Sequence, residues 1–160
     1  MAEVFLSLGS NVEKERHIPE ALAELEALFG PLTVSSIYES EAVGFAGDPF
    51  YNLAVRFRSD LPAWEIARML REVEVAHGRT AESRKFEPRT LDIDLVLYGS
   101  QVVAEDGLRL PREEVAKFAF MLEPLAEIAP GFKHPVLGLD FAELWEGFDK
   151  SQPRQRRVEL

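Results

Sequence analysis

Leu91 to Tyr98 reads Leu-Asp-Ile-Asp-Leu-Val-Leu-Tyr, an alternation that suits a β-strand with one wet face. Successive strand side chains point to opposite faces, so Leu91, Ile93, Leu95 and Leu97 are expected on the core side. Asp92 and Asp94 then share the other face, roughly 7 Å apart at about 3.3 Å of rise per residue. Two carboxylates on one face of a buried strand are costly without compensation. A pair of hard cations is the natural compensation, because Mg²⁺ prefers oxygen ligands and shares its shell with phosphates. An isolated Asp-x-Asp is more often the polar face of an edge strand. Here the preceding segment alters the balance: it holds Arg79, Arg84, Lys85 and Arg89 against Glu82 and Glu87 only. Guanidinium groups bind phosphate oxygens in pairs and stabilise charge on a transferring phosphoryl group. Carboxylates and cations within fifteen residues therefore suit a metal–polyphosphate complex. No Gly-x-x-x-x-Gly-Lys run is present, so this is not a P-loop.

The rest of the chain supplies a sheet for that strand. Glu3 to Leu8 alternates and reads as a strand, broken by Gly9-Ser10-Asn11. Ile18, Leu22, Leu25 and Phe29 recur at helical spacing, with Gly30-Pro31 as the stop. Leu32 to Tyr38 and Phe50 to Phe57 read as strands, separated by a long glycine-bearing loop over 39–49. A second helix opens at Pro62, with Trp64, Ile66, Leu70 and Val73 on its apolar face and Gly78 at its end. His77 at that end reads as a helix C-terminal cation. Beyond Tyr98 come a short hairpin around Gly99-Ser100, a helix near Phe120 to Ile128, a short helix near Phe141 to Trp145, and a frayed tail over 151–160. The order β-α-β-β-α-β predicts an α+β, ferredoxin-like core in one domain spanning 1–160. Its antiparallel sheet carries helices mainly on one face, followed by a C-terminal extension with a hairpin and short helices. A ligand would sit on the open face.

Composition narrows the partners. The 160 residues carry 18 Lys and Arg against 28 Asp and Glu, a net charge of −10. That balance argues against nucleic acid or an anionic membrane as partner. It also weighs against an RNA-binding sheet, which the topology alone would allow. Cysteine is absent, which removes disulfides, thiolate metal sites and thiol nucleophiles. Three histidines (His17, His77 and His134) leave little material for a His-rich metal site. Without a spanning apolar run or a leader segment, a cytoplasmic protein is expected.

The blocks Gly9-Ser10-Asn11, Tyr38 to Gly44, Asn52, Glu74, Gly78-Arg79, Pro88-Arg89-Thr90-Leu91-Asp92-Ile93-Asp94, Phe120-Met121-Leu122-Glu123-Pro124-Leu125 and Ile128-Ala129-Pro130 occur in that order. In these the chain resembles the 6-hydroxymethyl-7,8-dihydropterin pyrophosphokinase family over nearly its whole length. The resemblance implies transfer of diphosphate from ATP to a pterin alcohol in folate biosynthesis, with two Mg²⁺ ions; a monomer is expected. It implies that Asp92 and Asp94 hold the metals and that Arg79 and Arg89 act in catalysis on the phosphates. Glu74 would join those arginines on the nucleotide side, and Arg112, which departs from the family's usual histidine, is expected to serve an ATP phosphate in place of missing groups. Phe50 and Phe120 would sandwich the pterin ring, and Asn52, with the backbone around Ser40 to Val43, would read its polar edge. Departures fall at Glu41, Ala81, Phe86, Glu87, Arg112 and Phe118. A non-catalytic ferredoxin-like module that binds pterin or nucleotide is the competing expectation, and the intact Asp92/Asp94 pair weighs against it.

Overall fold

The computed structural model describes residues 1–11, 13–40, 49–78, 91–105, 107–150 and 155–159. In chain order the elements are β1 (Ala2–Ser10), α1 (Lys14–Phe29), β2 (Thr33–Val34), β3 (Ile37–Ser40), β4 (Phe50–Ser59), α2 (Ala63–Ala76), β5 (Asp92–Tyr98), β6 (Val103–Glu105), β7 (Leu108–Leu110), α3 (Ala119–Ile128), α4 (Phe141–Glu146) and β8 (Arg156–Val158). A single 3-10 turn covers Glu113–Ala116.

β1 lies between β4 and β5 and is antiparallel to both, and the sheet runs β5-β1-β4-β3-β8. One face carries Val4, Leu6 and Leu8 of β1, Leu53, Val55 and Phe57 of β4, and Ile93 and Leu95 of β5. These bury against Ile18, Ala21 and Leu25 of α1 and Ile66, Leu70 and Val73 of α2. The opposite face is not left open. Phe5, Ala54, Val96 and Leu97 pack on Met121, Leu122 and Leu125 of α3 and on Phe141 of α4. Phe5 meets Phe132 and Phe141 edge-on, with centroids 4.8 Å and 5.9 Å away. Helices mainly on one face therefore describes α1 and α2 alone, because α3 and α4 cover one end of the second face.

Several expectations shift for local reasons. Phe5 pairs with Leu97 while Leu6 pairs with Leu95, so Val96 is an extra residue in β5. This bulge turns Leu97 onto the face of Phe5, away from Ile93. The expected strand over 32–38 is two strands. At the break the Ser35 N–H donates to the Ala54 carbonyl at 2.9 Å, and the Ala54 N–H donates to Ser35 Oγ at 2.8 Å. Trp64 is 63% exposed, since it lies two residues from Ile66 and so points away from the buried stripe. The hairpin lies between β6 and β7, not around Gly99-Ser100, where the chain only turns out of β5. The tail expected to fray adds β8 to the edge of β3, with Arg156 paired to Glu39 at 3.0 Å. No helix among the described residues is long and apolar enough to cross a membrane.

Candidate active site

Strand register decides which side chains meet. Asp92 pairs with Gly9, Gly9 with Asn52 and Asn52 with Tyr38, while in the next row Asp94 pairs with Ser7 and Ser7 with Ala54. Paired residues share a face, so Asp92, Asp94, Asn52, Phe50 and Ser40 all lie on the face opposite α1 and α2. At about 4.8 Å per strand, the Asp92 and Asn52 backbones are roughly 10 Å apart. The position between them is Gly9, which leaves a shelf without a side chain. A Cβ there would come within 3.1 Å of Asn52 Oδ1 and 3.9 Å of the Phe50 ring.

Asn52 is 5% exposed, and its Nδ2 donates to Ser40 Oγ at 2.8 Å. The hydroxyl thereby orients the amide, leaving its edge aligned along the shelf. Phe50 and Phe120 are both half-buried. The Phe118 ring stands 5.1 Å from that of Phe120 at 30° and extends the aromatic surface.

Behind Ser40, β3 is anchored to α3. Glu127 accepts hydrogen bonds from the Tyr38 hydroxyl at 2.6 Å, the Ser36 N–H at 3.0 Å and the Ser36 hydroxyl at 3.0 Å. Burial, then the bonded carboxylate, raise the Tyr38 pKa far above its ordinary value. Burial alone would raise the Glu127 pKa, but the Tyr38 and Ser36 donors outweigh it and hold the carboxyl below 4.5.

On the other side of Gly9, the free edge of β5 opens into a cleft of about 450 Å³ between α2 and the β6–β7 hairpin. Glu74, Asp92, Asp94 and Arg112 all line it. The buried Glu74 carboxylate accepts the Ile93 N–H at 2.8 Å, which pins α2 to β5 between the two aspartates. Arg112 Nη2 lies 3.0 Å from Glu114 Oε2 and 3.8 Å from Asp94 Oδ1. Two further arginines, Arg71 and Arg109, line the same cleft and escape the sequence reading. Arg71 stands three residues before Glu74 on one helical face, a spacing that marks it as Glu74's neighbour. Arg109 had no such signal, because the hairpin register brings it here. Neither pairs with a carboxylate among the described residues. Hard carboxylate oxygens, half-exposed on one strand face beside guanidinium groups, suit Mg²⁺ carried on a polyphosphate. Val43, Arg79 and Arg89 lie outside the described residues.

A family model described as 7,8-dihydro-6-hydroxymethylpterin-pyrophosphokinase matches residues 5–130. The 2-amino-4-hydroxy-6-hydroxymethyldihydropteridine pyrophosphokinase of Aquifex aeolicus is 36% identical over 138 residues, 85% of this chain and 86% of that one. The enzyme of the same name from Bacillus subtilis is 34% identical over 128 residues, 78% of this chain and 76% of that one. Among solved structures, Plasmodium falciparum HPPK-DHPS wild type with pteroate superposes with a TM-score of 0.74 at 14% identity. That match covers 91% of this chain and 42% of the other, so this chain spans about two fifths of that polypeptide, and the likeness is one of fold.

Proposed function

The chain belongs to the 7,8-dihydro-6-hydroxymethylpterin-pyrophosphokinase family, and on that premise we propose that it transfers diphosphate from ATP to the hydroxymethyl group of 6-hydroxymethyl-7,8-dihydropterin in folate biosynthesis. The observation that carries this reading is the row Asp92–Gly9–Asn52. It sets the Asp92 carboxylate, with Asp94 in the next row on the same face, one bare strand position away from a buried amide that can read a heterocycle edge, with an arginine-lined cleft alongside.

The pterin lies over Gly9 between Phe50 and Phe120, with Asn52, Ser40 and the backbone near Val43 on its polar edge. ATP occupies the cleft at the β5 edge. Glu74 orients the nucleotide, while Arg112, Arg79 and Arg89 meet its phosphates. The pterin hydroxyl oxygen attacks the β-phosphorus in line. A new oxygen–Pβ bond forms as the bond from Pβ to the α,β-bridging oxygen breaks. AMP leaves with that oxygen, and the hydroxyl proton passes to solvent. Asp92 and Asp94 would hold two Mg²⁺ ions, which would supply charge neutralisation on the polyphosphate and lower the pKa of the hydroxyl. The chain acts as a cytoplasmic monomer of one domain, without nucleic acid. The strand order β5-β1-β4-β3 supports reading its core as ferredoxin-like, with the β6–β7 hairpin and the short α4 as the C-terminal extension.

The test mixes the protein with ATP, Mg²⁺ and the reduced pterin and follows AMP. Asp94→Ala is expected to lower turnover by about 10²- to 10³-fold while leaving the thermal melt largely intact. Normal turnover in Asp94→Ala would overturn the metal assignment. Wild-type protein that released no AMP would instead be the non-catalytic module.

A further inference from the structure

On the helix-covered face of the sheet, opposite Asp92 and Asp94, two histidines meet between the start of α1 and the end of α2. The His17 and His77 side chains are 4% and 3% exposed. Their Nδ1 atoms are 2.6 Å apart, with the ring planes at 66°. Glu20 lies one helical turn beyond His17, and one ligand atom from each of the three residues falls within 4.8 Å of the others. We propose that His17, His77 and Glu20 bind one divalent transition-metal ion that clasps α1 to α2, independently of the diphosphate-transfer site.

The surroundings of the pair favour a metal over a plain histidine contact. Metal-binding imidazoles commonly direct the nitrogen that does not bind the metal at a carboxylate, which sets the ring orientation and raises basicity. His77 follows that pattern, with its Nε2 3.0 Å from Glu24 Oε2, whereas His17 Nε2 is 3.8 Å from Glu13 Oε2, beyond hydrogen-bond reach. The two Nδ1 atoms face each other between the helices. Nitrogens bound at about 2.0–2.1 Å in tetrahedral geometry stand about 3.4 Å apart, so the rings need separate by only about 0.8 Å. Glu20 is exposed, which leaves the fourth position to water.

Arg16 is the group that opposes the ion. Its Nη2 is 3.1 Å from His17 Nε2, and a guanidinium can only donate. Without metal, His17 therefore carries its proton on Nδ1 and donates it to His77 Nδ1. On metal binding that proton moves to Nε2, facing Glu13, and Arg16 retains Glu13 at 3.4 Å as its ion-pair partner. The imidazole stays neutral throughout. Imidazole nitrogen suits Zn²⁺, Co²⁺, Ni²⁺ or Cu²⁺, whereas Mg²⁺ seeks the oxygens of Asp92 and Asp94. The two sites thus take different metals.

The experiment titrates untagged, metal-stripped protein with Co²⁺ in excess Mg²⁺ and follows visible absorption. The expected result is an intense four-coordinate Co²⁺ spectrum that saturates at one equivalent, persists in Asp94→Asn and is displaced by Zn²⁺. It is lost in His17→Gln and His77→Gln, and Glu24→Gln weakens affinity by roughly 10- to 100-fold. Circular dichroism establishes that each variant is folded. Should a histidine variant fail to fold, Glu20→Gln at its exposed position gives the deciding reading, with at least a tenfold loss of affinity expected. A wild-type protein without the four-coordinate spectrum, or a spectrum unchanged in Glu20→Gln and in the folded histidine variants, would overturn the site. AMP release plays no part in this readout, so failure here leaves the transfer reading standing.

Discussion

Glu127→Gln tests whether the anchor behind the pterin shelf is held by charge. The carboxylate accepts from the Tyr38 hydroxyl, the Ser36 N–H and the Ser36 hydroxyl, and Tyr38 is 1% exposed. Glutamine keeps one acceptor oxygen, but its nitrogen donates and so opposes the donors of Ser36. Hydrogen bonds to a charged group are worth about 1.5–3 kcal/mol against about 0.5–1.5 for neutral ones. Weakening the Tyr38 bond and losing part of the Ser36 pair then costs about 2–3 kcal/mol. At about 2–4 °C per kcal/mol for a chain of this size, Tm falls by roughly 5–10 °C. Calorimetry at a series of pH values separates this cause from loss of packing. The folded-state pKa of Glu127 lies below its ordinary 4.5, so the unfolded chain takes up the proton first as pH falls. The stabilisation is therefore fully present above 4.5 and is lost as pH falls through the folded value. The gap between wild type and Glu127→Gln should stay constant from pH 7 to about 5 and close below 4.5. Because Ser36 and Tyr38 lead directly to Ser40, KM for the pterin should rise while KM for ATP holds. Equal Tm at pH 7, or a gap that persists in acid, would refute the reasoning.

Other perturbations address the rest of the site. Gly9→Ala places a Cβ 3.1 Å from Asn52 Oδ1, so pterin KM should rise roughly tenfold, the value of about 1.4 kcal/mol of lost binding, in steady-state kinetics with ATP saturating. Arg109→Ala removes a cation that lines the cleft; ATP KM should rise at least several-fold in the same assay, and an unchanged KM would exclude Arg109 from the nucleotide. His134 Nδ1 accepts the N–H groups of Val136 and Leu137 at 3.2 Å and 3.1 Å, and burial lowers its pKa from 6.5. That contribution is complete above 6.5 and disappears as pH falls through the folded value, because a protonated Nδ1 cannot accept. Wild type should therefore lose more Tm between pH 7 and 5 than His134→Asn, whose side-chain oxygen keeps an acceptor in the turn.

The parts of the fold that follow short-range periodicity were legible from the residues. Alternation in 91–98 located β5 and the shared face of Asp92 and Asp94, and Ile18, Leu22, Leu25 and Phe29 located the interior of α1. Periodicity misleads where a contact distant in sequence decides the local geometry. Leu97 changes face because of a bulge against β1. The strand over 32–38 divides where Ser35 bonds to Ala54 and Ser36 to Glu127, nineteen and ninety-one residues away. Arg156 pairs with Glu39, so part of a tail that reads as frayed becomes β8.

The same division governs function. Residue types and their order along the chain determined the chemistry: carboxylates for a hard cation, arginines for phosphate, an amide and aromatic rings for a heterocycle. Only the tertiary structure decided which of these groups meet. Cross-strand register places Asp92 beside Gly9 and Gly9 beside Asn52, and helix–sheet packing brings Arg71 and Glu74 to the cleft that the hairpin closes with Arg109 and Arg112. His17 and His77, sixty residues apart, become one cluster in the same way. Periodicity is a property of neighbours in the chain, whereas a site is a property of neighbours in space, and the two coincide only along a single strand or helical face.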